Sequence, residues 1–162
     1  MLDWQSVLWD TVLPLLAATG LGALVGYERE SVNQPAGLRT HMMVGLGACS
    51  FTIIALALYR ELAAGETEAR MDPIRIIEGV VGGIGFLGAG SILRSGGEIR
   101  GITTAGGIWV MGAIGAACAV QAYGIAASTA VLALITLALV RRIAGNHAEE
   151  DEKGLPSGSS GR

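Results

Sequence analysis

Apolar runs of about 20 residues recur along this 162-residue chain, each the length a helix needs to cross a bilayer. Read with the charges between them, they predict spans over 7–27, 38–59, 74–93, 102–120 and 124–140. Charged residues make up 15% of the chain, against roughly 25% in soluble domains, and mean hydropathy is +0.53. The expected fold is all-α: an integral membrane bundle of about five transmembrane helices occupying residues 1–145. Residues 146–162 are acidic and then Gly/Ser/Pro-rich, so they are expected to form a flexible tail, native or left over from cloning.

Two loops echo each other. Gly26-Tyr27-Glu28-Arg29-Glu30 leads to Ala36-Gly37-Leu38-Arg39-Thr40-His41, and Ile92-Leu93-Arg94 leads to Arg100-Gly101-Ile102-Thr103-Thr104. In each, an arginine ends one helix and Gly-(Leu/Ile)-x-Thr opens the next. The pattern predicts two hairpins that face the same side, related as a parallel repeat, with a fifth helix outside the repeat. Arg29, Arg39, Arg94, Arg100, Arg141 and Arg142 then share one side of the membrane, against Arg60, Arg70 and Arg75 on the other. The positive-inside tendency places the first group in the cytoplasm, with the amino end outside and the carboxyl end inside.

Charge at the mouths of membrane hairpins is costly, which marks Glu28, Arg29, Glu30, Arg39, Thr40, His41, Arg94, Arg100, Thr103 and Thr104 as candidate functional residues. An ion-pair network is one reading of them and ordinary interfacial charge the other. Threonines at helix starts can cap backbone N–H groups, and those starts, with Arg39 and Arg100, can hold an anion or the two glutamates. Glu78 lies one turn inside the third span, either paired locally with Arg75 or facing a wet cavity. Gly22 and Gly26, Gly79 and Gly83, and the neighbouring Gly85, Gly88 and Gly90 fit close helix packing. Unwinding of residues 84–91, which would free carbonyls for an ion, is the alternative.

Cys49 and Cys118 fall inside apolar spans and read as small packing residues. The spacing of Cys and His fits no zinc site, and that of Ser, His and Asp no hydrolytic triad, so neither an enzyme nor a cofactor is expected. Nothing basic or aromatic-rich points to nucleic acid.

At Gly-Tyr-Glu-Arg-Glu, Ala-Gly-Leu-Arg-Thr-His and Gly-Gly-Ile-Gly-Phe-Leu-Gly-Ala-Gly-Ser-Ile-Leu-Arg with Arg-Gly-Ile-Thr-Thr-Ala, the chain resembles the MgtC/SapB family over about residues 15–142. The resemblance implies a bacterial inner-membrane protein with a hydrophobic domain of about five helices. It implies a link to growth under magnesium limitation and to virulence. It also brings a choice between two functions. One is a regulator of another membrane protein, the F-type ATP synthase being the family's suggested partner. The other is a small oligomeric transporter or channel for magnesium or protons, with Mg2+ as ligand or substrate. A homo-oligomer is expected in either case. The family signature falls on Glu28, Arg29, Glu30, Gly37, Arg39, Thr40, His41, Gly85, Gly88, Gly90, Arg94, Gly101, Thr103, Thr104 and Trp109. Some members continue into a soluble domain resembling a small regulatory fold, where this sequence has its acidic tail.

Overall fold

The computed structural model describes residues 3–64, 74–95 and 98–153. Five helices dominate it: α1 (Trp4–Ser31), α2 (Leu38–Ala64), α3 (Ile74–Gly90), α4 (Ile102–Ala119) and α5 (Tyr123–Lys153). Two short strands, β1 (Leu93–Ser95) and β2 (Glu98–Arg100), join α3 to α4. The helix α1 opens at Asp3, whose carboxylate accepts from the Gln5 N–H at 3.1 Å. A π-helical turn follows over Leu8–Val12. Pro14 has no N–H to return to the carbonyl four residues back, and the wider turn sits where that bond would have been.

α1, α2 and α4 are long and apolar enough to cross a membrane. The apolar part of α5, Tyr123–Leu139, and the 17 residues of α3 stand at the short limit for a span. The helices leave Leu16, Leu24, Phe51, Ile54, Phe86, Ile125 and Leu132 exposed, an apolar exterior that suits lipid rather than water. The chain is an all-α membrane bundle, as its sequence predicts.

The third span departs from expectation. Its helix stops at Gly90, where the Ser91 hydroxyl donates to Gly88 O at 2.7 Å. The chain then turns through an antiparallel pair, with Leu93 opposite Arg100 and Ser95 opposite Glu98. Arg94 therefore stands on β1 instead of ending a helix. Gly101 closes the loop at φ +90°, and a Cβ there would overlap Ser91 O, so only glycine fits. α5 continues to Lys153, while residues 154–162 of the expected tail, and Arg70 in the loop before α3, lie outside the described residues.

α4 is the centre of the bundle and packs against all four other helices. Its Met111, Ile114 and Cys118 are fully buried among Ala18 and Val25 of α1, Cys49 of α2, and Ala126 and Ala130 of α5. The helices α2 and α4 cross where Gly115 meets Gly45: a Cβ on Gly115 would overlap Gly45 O and sit 2.9 Å from the Ala48 Cβ. Around this crossing, α1 touches α2 and α4, and α3 touches α4 and α2. Exchanging the two hairpins leaves that contact pattern unchanged, as a pseudo-twofold pair requires. Both hairpin loops line one cavity, through Pro35 and Ala36 on one side and Gly90, Ser91 and Leu93 on the other, so they share one end of the bundle. At the opposite end, Gln121 Nε2 donates to Asp10 Oδ1 at 2.9 Å and ties the α4–α5 turn to α1.

Candidate functional site

The charged end begins with the contact between α1 and α2. A Cβ on Gly22 would lie 2.8 Å from His41 O, and one on Gly26 would lie 2.7 Å from the Leu38 Cα. Glycine lets the two backbones touch, and that proximity allows Glu30 to fold back across the loop. Its Oε2 accepts from the Leu38 N–H at 2.7 Å, satisfying an orphan donor at the start of α2 and meeting the positive end of its dipole. Gly37 leaves room for this carboxylate, because a Cβ there would stand 2.7 Å from the same oxygen. The cap of α2 is thus a glutamate from the preceding helix, where the sequence reading placed a threonine. At α4 no side chain caps the start, so Thr103 and Thr104 do not play that role either.

The core-facing stripe of α1 runs through Ala18, Gly22, Val25 and Gly26 and ends in Arg29, which is 6% exposed. Arg29 Nη1 lies 3.7 Å from Glu28 Oε2, and Arg141 Nη1, from α5, lies 3.7 Å from Glu28 Oε1. Glu28 is held by charge from two sides. Both of its carboxylate oxygens are shielded from solvent, and neither has a hydrogen-bond partner among the described residues.

His41 is buried beside them at 1% exposure. Its Nδ1 is 3.0 Å from Gly37 O, which can only accept, so Nδ1 carries a proton. Nε2 faces α4 and is 3.2 Å from where a Cβ on Gly107 would be, again with no partner. Thr104, one turn earlier on α4, is 2% exposed, and its hydroxyl is also unpartnered among the described residues. Four helices therefore bring Glu28, Arg29, His41, Thr104 and Arg141 to one end. Buried polar atoms without partners are uncommon, and here four of them gather at the same end.

The other candidates lie outside this group. Arg39 and Thr103 are exposed, and Thr40 is half-buried and lines a cavity of about 540 Å³ together with Thr104. Arg100 is exposed at the end of β2. Glu78 and Arg75 are exposed on α3, and no ion pair within 4.0 Å joins them. The expected local pair is thus not formed. Of the α3 glycines, Gly88 meets Ala105, whereas a Cβ on Gly79, Gly83, Gly85 or Gly90 would find no atom within 4 Å. Those four make no close contact within the chain, although Gly79 and Gly83 line a groove between α3 and α2. The helix persists through Gly90, so unwinding over 84–91 is not observed before Ser91.

The arrangement fixes charges and a histidine ring in place. No group of three or more His, Cys, Asp or Glu is set to hold a metal among the described residues. The one carboxylate of the buried group already faces two guanidinium groups. These residues do not fit a Mg2+ site. Sequence reasoning missed Arg141 as part of the cluster. The available signal was its place as the first cation after the fifth span, on the side of the charged loops.

The sequence model of the MgtC family matches residues 15–146. Protein MgtC of Salmonella typhimurium is 35% identical over 143 residues, which is 88% of this chain and 58% of that protein. Protein MgtC of Brucella abortus is 36% identical over 131 residues, covering 81% of this chain and 51% of that one. The chain spans a little over half the length of these curated relatives. No solved structure matches it.

Proposed function

The chain belongs to the MgtC family, and from that premise we propose that it is a membrane-embedded regulator that binds another membrane protein, the F-type ATP synthase being the first partner to test. Its setting is the bacterial inner membrane during magnesium limitation, with the charged end in the cytoplasm.

One observation carries this reading: between the charged end and Tyr123 at the opposite end, the described interior holds no buried charged side chain. Beyond His41 and Thr104 the interior along α4 is Ile108, Met111, Ile114 and Cys118. Of the other buried hydroxyls, Thr52 donates to Ala48 O within its own helix at 2.8 Å, and Tyr123 lies at the far end, beside the α4–α5 turn. An ion crossing such an interior would lose its hydration with nothing to replace it. A fixed polar end on an apolar bundle, with broad apolar faces around it, suits recognition of a second protein in the bilayer. The transporter reading rests on Glu78, which is exposed on α3 rather than turned into the bundle.

The test uses the purified full chain in proteoliposomes, together with affinity capture from native membranes. The regulator reading expects no magnesium or proton flux above empty vesicles and retention of ATP synthase subunits. Flux that disappears in Glu78→Gln would overturn it.

A further inference from the structure

Arg75, Glu78, Gly79, Gly82 and Phe86 fall at helical spacing along one face of α3, and every one of them is exposed. Phe86 is 80% exposed, the highest value among the large hydrophobics of the described residues. A Cβ on Gly79 or Gly82 would find nothing within 4 Å. The face is therefore smooth and open in its middle, with an aromatic ring at one end and two opposite charges at the other. Those charges sit one turn apart within an apolar helix, and neither forms an ion pair with a described residue. A lone span would turn both charges toward lipid, an environment that disfavours each of them.

We infer that this face of α3 is where a second copy of the chain docks. The charge pattern selects the occupant. In a two-fold pair about the membrane normal, α3 lies alongside its counterpart, and residues of equal number stand at equal depth. Arg75 of each copy is then one turn from Glu78 of the other, so both charges are matched twice. A lipid headgroup would pair with Arg75 and leave an anionic surface against Glu78. Gly79 and Gly82 let the two backbones come close where the helices cross, as small residues do in membrane helix pairs. The inference is independent of the regulatory reading, since a transporter or a regulator can be a dimer.

The experiment is disulfide cross-linking of Gly82→Cys in native membranes. The position has open space within the chain, and the natural Cys49 and Cys118 are buried out of reach. The expected result is a dimer band several-fold stronger than that of Leu16→Cys, a lipid-exposed control on α1. Adding Arg75→Glu or Glu78→Arg alone should reduce the band several-fold by setting like charges together, and combining both should restore it. Co-expressed Arg75→Glu and Glu78→Arg chains should cross-link to each other and not to themselves. If the single swaps fail to insert, the double swap still decides the matter, since loss of its dimer band overturns the proposal. A Gly82→Cys band no stronger than the control, or one indifferent to the swaps, overturns it as well.

Discussion

Replacing Arg29 with methionine keeps the bulk of the side chain and removes its charge. Arg29 is 6% exposed and Glu28, its neighbour at 3.7 Å, has both carboxylate oxygens out of solvent. Removing one partner of a buried pair strands the other, which costs about 3 kcal/mol. Arg141 remains on the far side of Glu28, but its side chain is 55% exposed, so screening limits its compensation to about 0.5 kcal/mol. Glu28→Gln removes the carboxylate yet leaves an amide able to use the same space, and should cost about 1.5 kcal/mol. The double variant strands neither charge. Its loss should be about 2 kcal/mol, well short of the sum of the two single losses. The assay is reversible unfolding in mixed micelles, followed by helicity, for all four members of the cycle. Additivity within about 0.5 kcal/mol would refute the reasoning, because independent sites add to that precision.

At the central crossing, Gly115→Ala should destabilise the fold by about 2 kcal/mol, since its Cβ overlaps Gly45 O, while Gly20→Ala, with open space, should be neutral or stabilising by up to about 1 kcal/mol; thermal unfolding in detergent checks both. Glu30→Ala removes the cap on the Leu38 N–H and should cost about 1 kcal/mol, visible as faster amide exchange at the start of α2. Met111→Ala empties the fully buried centre of α4 and should cost about 3 kcal/mol in the same unfolding assay. Arg39→Ala, at an exposed position, should stay within about 0.5 kcal/mol of the parent.

The bundle was legible because apolar length and loop charge are one-dimensional signals. The two echoing loops do share an end, and Gly22 and Gly26 do face a neighbouring backbone. What escaped the sequence depends on which faces of different helices meet. Arg39 and Arg29 look alike in the chain, yet Arg29 continues the stripe of Ala18, Gly22 and Val25 into the core, and Arg39 points away. Gly79 and Gly83 have the same spacing as Gly22 and Gly26, but α3 is covered on one side only, so identical patterns have different neighbours. The turn at Ser91 was hidden because Ile92 and Leu93 prolong the apolar run past the hydroxyl that ends the helix. Arg141 joins Glu28 through a contact more than a hundred residues away in sequence, which no local pattern encodes.

The central claim is that the charged end acts on a partner and that the bundle conducts nothing. ATP-driven proton pumping in inverted membrane vesicles tests it directly, with the charged end facing the added nucleotide. Vesicles containing the chain should pump more slowly than vesicles lacking it, and Arg29→Met, inserted to the same level, should restore the rate. Pumping that is indifferent to the chain, with magnesium or proton uptake by liposomes containing the chain alone, would contradict the account.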